Sequence, residues 1–254
     1  AGQPEPTGQA WDDRVKTGEI LQGFPTERDK GYAVPEQPDA LLDRGSFLVV
    51  RKLRQYTGRF ARRTYQEARK IGLDHELVLA KLMGRWPDGR PLAAPEAPGT
   101  SNDFNYAKDA QGSACPFHAH IRRTNPRDLA GTAFSRSRMP RILRRGMSYG
   151  APLHADAPDD ADRGLVFMAY NAHLAEQFEV VQRWVAGGNA SGGYSGQSDP
   201  LLGVVDGSLI GSVCERVARR ARCDVLVVKN AAPLNQGIVV AVDGSAQSRA
   251  GLKA

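Results

Sequence analysis

The stretch Gly45-Ser-Phe-Leu-Val-Val-Arg-Lys-Leu53 marks where the chain first takes on the pattern of a folded domain. Its aromatic, aliphatic and β-branched residues predict a strand. From Gln55 to Gly72, apolar residues recur near the helical period and arginines occupy the other face, which predicts a surface helix. A second, shorter helix is expected at His75–Met83, before a turn rich in Pro and Gly. The ordered part of the chain therefore opens with a strand and two helices.

A second strand and helix are expected further along the chain. Gly164-Leu-Val-Phe-Met-Ala-Tyr170 is apolar on both faces, as in a buried strand, and Ala172–Val185 has the pattern of an amphipathic helix. Glycine is frequent from Gly187 to Gly196, and the character of the sequence changes soon after it. We therefore expect two parts, residues 1–203 and residues 204–254.

The composition narrows the class of protein. With 254 residues, 41% hydrophobic and 24% charged, the chain is typical of a globular protein with a sizeable core. Its net charge is +6, but the arginines are scattered, so we do not expect nucleic-acid binding. No apolar run approaches the roughly 20 residues that span a bilayer, so no membrane segment is expected. Three cysteines are too few for a disulfide framework and favour a reducing compartment, hence a cytoplasmic location.

The segment GSACPFHAHIRRTNPRD, residues 112–128, concentrates residues that bind metals and anions. Cys115, His118 and His120 could bind zinc, although no fourth ligand follows at zinc-finger spacing. The histidines could equally be surface or hydrogen-bonded core residues. A third interpretation is a haem site, in which one imidazole binds iron and nearby arginines neutralise the propionates. The residues of this segment leave all three alternatives open.

The wider sequence resembles the dye-decolorizing peroxidases over about residues 10–203. The matching segments, in the order of the family, are Gly18–Phe24, Gly45–Leu53, Ala80–Leu92, Asn102–Tyr106, Cys115–Arg127, Ile142–Gly150, Gly164–Tyr170 and Gln177–Trp184. The resemblance implies an α+β, ferredoxin-like fold with an antiparallel sheet and helices. It also implies a peroxidase with haem b as cofactor, hydrogen peroxide and small aromatic reductants as partners, and a homo-oligomer of two or more copies.

The resemblance assigns roles to particular residues. The histidine of the family's A-H-I-R-[RK] pattern falls on His120, which implies the proximal ligand of haem iron, while the role of His118 stays open. The arginine of the I-L-R segment falls on Arg144, which implies a distal cation that stabilises negative charge as the peroxide bond breaks. Charge and proximity suggest Arg122 or Arg127 as a propionate partner. Glu179 is a candidate acceptor for the ring N–H of His120.

The distal base of this family has no counterpart in the chain. The family carries it as the aspartate of a G-x-x-D-G motif that precedes the segment matched by Gly18–Phe24. Arg85-Trp-Pro-Asp88-Gly89 lacks the first glycine, and Gly203-Val-Val-Asp206-Gly207 lies at the wrong end of the domain. We therefore expect this sequence to carry the haem-ligand half of a peroxidase.

Residues after about 208 resemble a different family, the universal stress proteins, which are α/β nucleotide-binding domains. The matching segments predict a basic helix at Ser212–Arg222, a parallel-type strand at Asp224–Lys229 and another strand at Gly237–Asp243. The resemblance implies ATP binding through the Gly211-Ser212 backbone, with Asp243 at the adenosine. The family's ATP pattern is only partly met. An alternative function is therefore a nucleotide-binding stress-response or scaffold protein with a degenerate peroxidase portion.

Overall fold

The computed structural model describes most of the first 202 residues and two strands beyond them. Side chains are described for residues 14–27, 43–97, 99, 101–127, 139–153, 159, 161–187 and 198–202. The strands are β1 (Gly45–Arg54), β2 (Leu143–Arg144), β3 (Met147–Tyr149) and β4 (Gly164–Asn171), with β5 (Asp224–Lys229) and β6 (Val239–Ala241) described by their backbone. The helices are α1 (Thr57–Ile71), α2 (His75–Met83), α3 (His120–Thr124) and α4 (Glu179–Val185). Both helices and the strand predicted near the start are confirmed.

All of these strands join one sheet, and every pairing in it is antiparallel. The order is β2-β4-β1-β5-β6, with β3 also paired to β4. Strand β1 lies in the middle of this order, which explains why its sequence is apolar on both faces through Val50. The expected α+β architecture, an antiparallel sheet with helices, is confirmed.

The C-terminal strands correct one expectation. Asp224–Lys229 was expected to be a parallel-type strand, but it pairs antiparallel with β1, with Val49 opposite Val225. Strand β5 has hydrogen-bonded neighbours on both sides, β1 and β6. An apolar run therefore indicates that a strand lies in the interior of a sheet, but it does not indicate whether the strand is parallel or antiparallel to its neighbours. The predicted helix Ser212–Arg222 lies outside the described residues. The boundary at 203/204 stays a prediction.

Cross-strand registers define the packed face of the sheet. Val49, Ala169 and Arg144 are consecutive partners across β1, β4 and β2, so their side chains share one face. Val49 and Ala169 are fully buried there and form a hydrophobic cluster with Phe178. Arg144 lies at the edge strand of the same face and is exposed.

A glycine is required where β4 begins. A Cβ on Gly164 would lie 1.9 Å from the carbonyl oxygen of Leu53 on β1, which is an impossible contact. We expect Gly164→Ala to lower the free energy of unfolding by about 2 kcal/mol, because backbone must move to admit the methyl group. Gly146→Ala is the matched control, since its nearest neighbour is the movable end of the Leu165 side chain at 3.1 Å. Urea unfolding of both variants measures the difference, and equal losses would contradict the steric argument.

The helix predicted at Ala172–Val185 begins later and more loosely than expected. Its first turn, Leu174–Phe178, is a π-helix that runs into α4. The side chain of Gln177 caps this turn, because its Oε1 accepts the backbone N–H of His173 at 2.8 Å. Its Nε2 donates to the carbonyl oxygens of Glu19 and Arg141. The buried amide thus ties the first turn to residues outside the helix, in addition to the backbone bond from Gln177 N–H to the carbonyl oxygen of His173.

The described residues divide into two compact units. A helical unit contains Arg14 and those within Phe60–Met139 and Gln182–Cys214, and a sheet unit contains those within Val15–Arg59, Pro140–Val181 and Glu215–Ala254. The helical unit has its own hydrophobic cluster, which includes Ala80, Leu92, Phe104, Tyr106, Cys115 and Ala119. Among the helices that the structure describes, none is long and apolar enough to cross a membrane.

Candidate functional site

His120 stands at the first position of α3, in the helical unit. The preceding residue, Ala119, is fully buried, and its carbonyl oxygen accepts the backbone N–H of Arg123 at 2.8 Å. The His120 side chain keeps 21% exposure, so it is not completely enclosed by the protein. Its Nδ1 lies 2.5 Å from Oδ2 of Asp199, a residue 79 positions further along the chain.

Asp199 is itself firmly held. Its side chain has no solvent exposure, and its Oδ1 accepts the backbone N–H groups of Leu201 and Leu202 at 2.7 and 3.0 Å. Its own N–H donates to the carbonyl oxygen of Val185 at the end of α4, at 2.9 Å. Asp199 is therefore a fixed acceptor, and its position determines how the His120 ring is turned.

This pairing defines which ring nitrogen of His120 can bind a ligand. An imidazole whose Nδ1–H donates to a carboxylate carries its lone pair on Nε2. A carboxylate at that position also makes the imidazole a stronger donor to a metal and fixes its orientation. The arrangement of His120 and Asp199 is thus suited to metal ligation through Nε2.

The predicted acceptor for the His120 ring was Glu179, and the structure corrects it. Glu179 is an exposed residue at the start of α4, whereas Asp199 bonds the ring directly. A sequence signal for Asp199 existed only locally, because Asp before Pro is typical of a turn. Nothing in the sequence alone connects this turn to His120.

Arg122 and Arg127, the two candidates for a propionate partner, both have partners inside the helical unit. Arg122 is 2% exposed, and its Nη1 forms an ion pair with Oδ2 of Asp109 at 2.9 Å. Arg127 is 6% exposed, and its Nη1 donates to the carbonyl oxygens of Asn102 and Phe104 at 2.5 and 2.7 Å. Its guanidinium also lies 4.0 Å from the centre of the Phe104 ring. Both side chains hold loops of the helical unit together, and a propionate contact of either one stays a prediction.

Arg144 lies in the sheet unit, on strand β2. It is exposed, and none of the described carboxylates forms an ion pair with it. Its place at the edge of the packed sheet face leaves the guanidinium able to meet an anionic ligand. The distal role of Arg144 stays a prediction.

Cys115 is not suited to bind a metal. It is fully buried in the cluster of the helical unit, and this burial raises the pKa of its thiol to about 12. The metal-binding thiolate is therefore strongly disfavoured. No group of three or more His, Cys, Asp or Glu side chains within the described ranges is arranged to hold a metal ion. The predicted nucleotide residues Gly211, Ser212 and Asp243 lie outside the described residues.

Comparison with known proteins identifies the family of this chain. The described part of the chain combines an antiparallel α+β fold with a histidine whose ring contacts a buried carboxylate. The profile of the family described as Dyp-type peroxidase, C-terminal, matches residues 24–203. The chain belongs to this family.

Individual relatives agree with this membership. The multifunctional dye peroxidase DyP2 of an Amycolatopsis species is 42% identical over 164 residues, which cover 59% of this chain and 35% of that protein. The solved structure of the Amycolatopsis protein gives a TM-score of 0.61 at 36% identity, covering 76% of this chain and 44% of that one. A fungal DyP-type peroxidase from Auricularia auricula-judae gives 0.59 at 26% identity, with 81% and 52% covered. The chain thus spans about a third of the length of its first curated relative.

No comparison supports the resemblance of the C-terminal segment to universal stress proteins.

Proposed function

We propose that this chain provides the iron-ligand half of a haem peroxidase that reduces hydrogen peroxide and oxidises small aromatic donors. The observation that carries the proposal is the 2.5 Å contact between Nδ1 of His120 and the buried carboxylate of Asp199. Family membership supports it, because the matching profile spans both residues. His120 is the residue that the sequence motif assigns to iron.

The residues present fit haem better than a free metal ion. His120 offers one oriented imidazole, and the described residues around it supply no second and third protein ligand. A single imidazole is sufficient only for a metal that arrives with most of its ligands, as iron does in porphyrin. When bound, haem b supplies the redox chemistry by which peroxide is reduced.

The protein's own groups perform the remaining tasks. His120 presents Nε2 to the metal. Asp199 accepts the hydrogen bond from Nδ1–H, which keeps the proton on Nδ1 and fixes the orientation of the ring. We propose Arg144 as the cation that stabilises negative charge on a peroxide oxygen, since it is exposed and free of described carboxylate partners. No residue of this chain is assigned as the distal base.

Haemin titration of the purified protein tests the proposal. We expect one equivalent to produce a Soret band, and the loaded protein to oxidise an anthraquinone dye with peroxide at acidic pH. His118→Ala is the matched control, because it removes the neighbouring imidazole and should leave the band unchanged. A protein that binds no haemin, or that loses the band with His118→Ala, would refute the assignment.

The alternative, a nucleotide-binding stress protein, receives no support from the comparisons, and neither does ATP as a cofactor. The homo-oligomeric state, the cytoplasmic location and the absence of nucleic-acid and membrane partners stay predictions. The nature of the aromatic donor belongs to the proposal, because the relatives that carry dye-peroxidase names are much longer than this chain.

A further inference from the structure

The helix that carries His120 is too short to orient it unaided. Helix α3 has five residues and receives no side-chain cap at its first turn. A helix of little more than one turn has few internal hydrogen bonds and needs outside contacts to stay formed. The direction in which His120 points must therefore depend on contacts made by its neighbours.

One such contact is the buried ion pair between Arg122 and Asp109. Arg122 Nη1 lies 2.9 Å from Oδ2 of Asp109, and its Nη2 donates to the Asp109 carbonyl oxygen at 2.9 Å. The carboxylate of Asp109 also accepts the backbone N–H groups of Ala114 and Cys115, at 3.0 and 2.8 Å. The pair thus fixes the loop that leads into α3.

The same guanidinium closes that loop around His120. Arg122 Nη1 donates to the carbonyl oxygen of Cys115 at 2.5 Å, so a residue before His120 and a residue after it are joined directly. The segment 115–122 is thereby a closed ring of chain with His120 inside it. Removing Arg122 would open this ring, and neutralising Asp109 would weaken its hold on both the N–H of Cys115 and the guanidinium of Arg122.

The guanidinium is also fixed in its plane. Its carbon lies 4.3 Å from the ring centre of Tyr106 and 4.6 Å from that of Phe117. Contacts with two aromatic rings and a fork of donors are properties that lysine does not reproduce. Arg122→Lys therefore keeps the charge and loses the geometry.

We propose that Asp109 and Arg122 are positioning residues for His120. They hold the ring where its Nδ1 meets Asp199, and so determine how Nε2 is presented. The importance of this for haem binding rests on the function proposed above. The geometric statement about the His120 ring stands without haem.

The test compares full-length wild type with Arg122→Lys, and with Asp109→Asn as a second variant should the first fail to fold. In haem-free protein labelled with ¹⁵N-histidine, solvent exchange of the His120 Nδ1–H reports its bond to Asp199. We expect exchange to become at least about tenfold faster in the variants. After loading with haemin, we expect haem loss to an apomyoglobin acceptor to become about 10- to 100-fold faster, as for other changes around a metal ligand.

Two controls separate positioning from stability. Leu92→Ala removes apolar volume from the hydrophobic cluster of the same unit, so it should lower the melting temperature and leave exchange of the His120 proton unchanged. Arg90→Lys makes the same substitution in an exposed ion pair with Asp88 and should change neither property. Unchanged exchange in Arg122→Lys and Asp109→Asn would overturn the proposal, as would equal acceleration in Leu92→Ala. Faster exchange in a protein that binds no haemin supports the positioning role and refutes only the proposed function.

Discussion

Replacing His120 by glycine should lower the affinity for haemin by more than about 100-fold, a larger loss than changes around a metal ligand usually produce. The substitution removes an imidazole that has a buried carboxylate on Nδ1 and keeps 21% of its side chain exposed. It also leaves the Asp199 carboxylate buried without its ring partner, which is unfavourable in itself. Haemin titration followed at the Soret band measures the effect.

Free imidazole supplies the control for this prediction. The space left by the His120 ring lies beside Asp199, so added imidazole can donate to the same carboxylate and offer its other nitrogen to iron. We expect it to restore the Soret band in His120→Gly and to have no effect in His118→Gly. A His120→Gly protein that binds haemin normally without imidazole would show that another residue ligates the metal.

The elements that agree with the sequence-based prediction are those marked by local signals such as caps and apolar runs. The bounds of α2 agree because Asp74 caps its start by accepting the N–H groups of Glu76 and Leu77, and Gly84 ends it with φ near 92°. Strand β1 agrees because an apolar run of that length suits a central strand. Strands β2 and β3 were not predicted, because strands of two and three residues are too short to show an alternating pattern.

The same distinction between local patterns and long-range contacts holds for the residues of the candidate site. His120 could be named as a candidate because its motif is contiguous in sequence. Arg122 or Arg127 was suggested as a propionate partner because both are charged and near His120, but proximity in sequence does not reveal that both are buried. Asp199 was missed because its contact with His120 joins residues 79 positions apart, which only the folded chain brings together.

Asp199→Asn should have the second largest effect, because it removes one charge and keeps the shape of the side chain. The amide oxygen can still accept from Leu201 and Leu202, so the turn is retained. The His120 imidazole becomes a weaker donor once the carboxylate is neutralised. We expect the ferric-to-ferrous reduction potential of the loaded protein to rise and peroxide turnover to fall about 10- to 100-fold. Spectroelectrochemistry and steady-state dye oxidation measure the two effects.

Glu179→Gln is the matched control for Asp199→Asn, because it makes the same chemical change at the carboxylate that the sequence favoured. Glu179 is exposed at the start of α4, where neutralising a carboxylate costs at most about 1 kcal/mol of helix stability. Its reduction potential and turnover should match wild type. If Glu179→Gln raised the potential while Asp199→Asn did not, the ring of His120 would have to pair with Glu179 in solution. The 2.5 Å contact with Asp199 predicts the opposite result, since a carboxylate hydrogen-bonded to Nδ1 acts directly on the donor strength of Nε2.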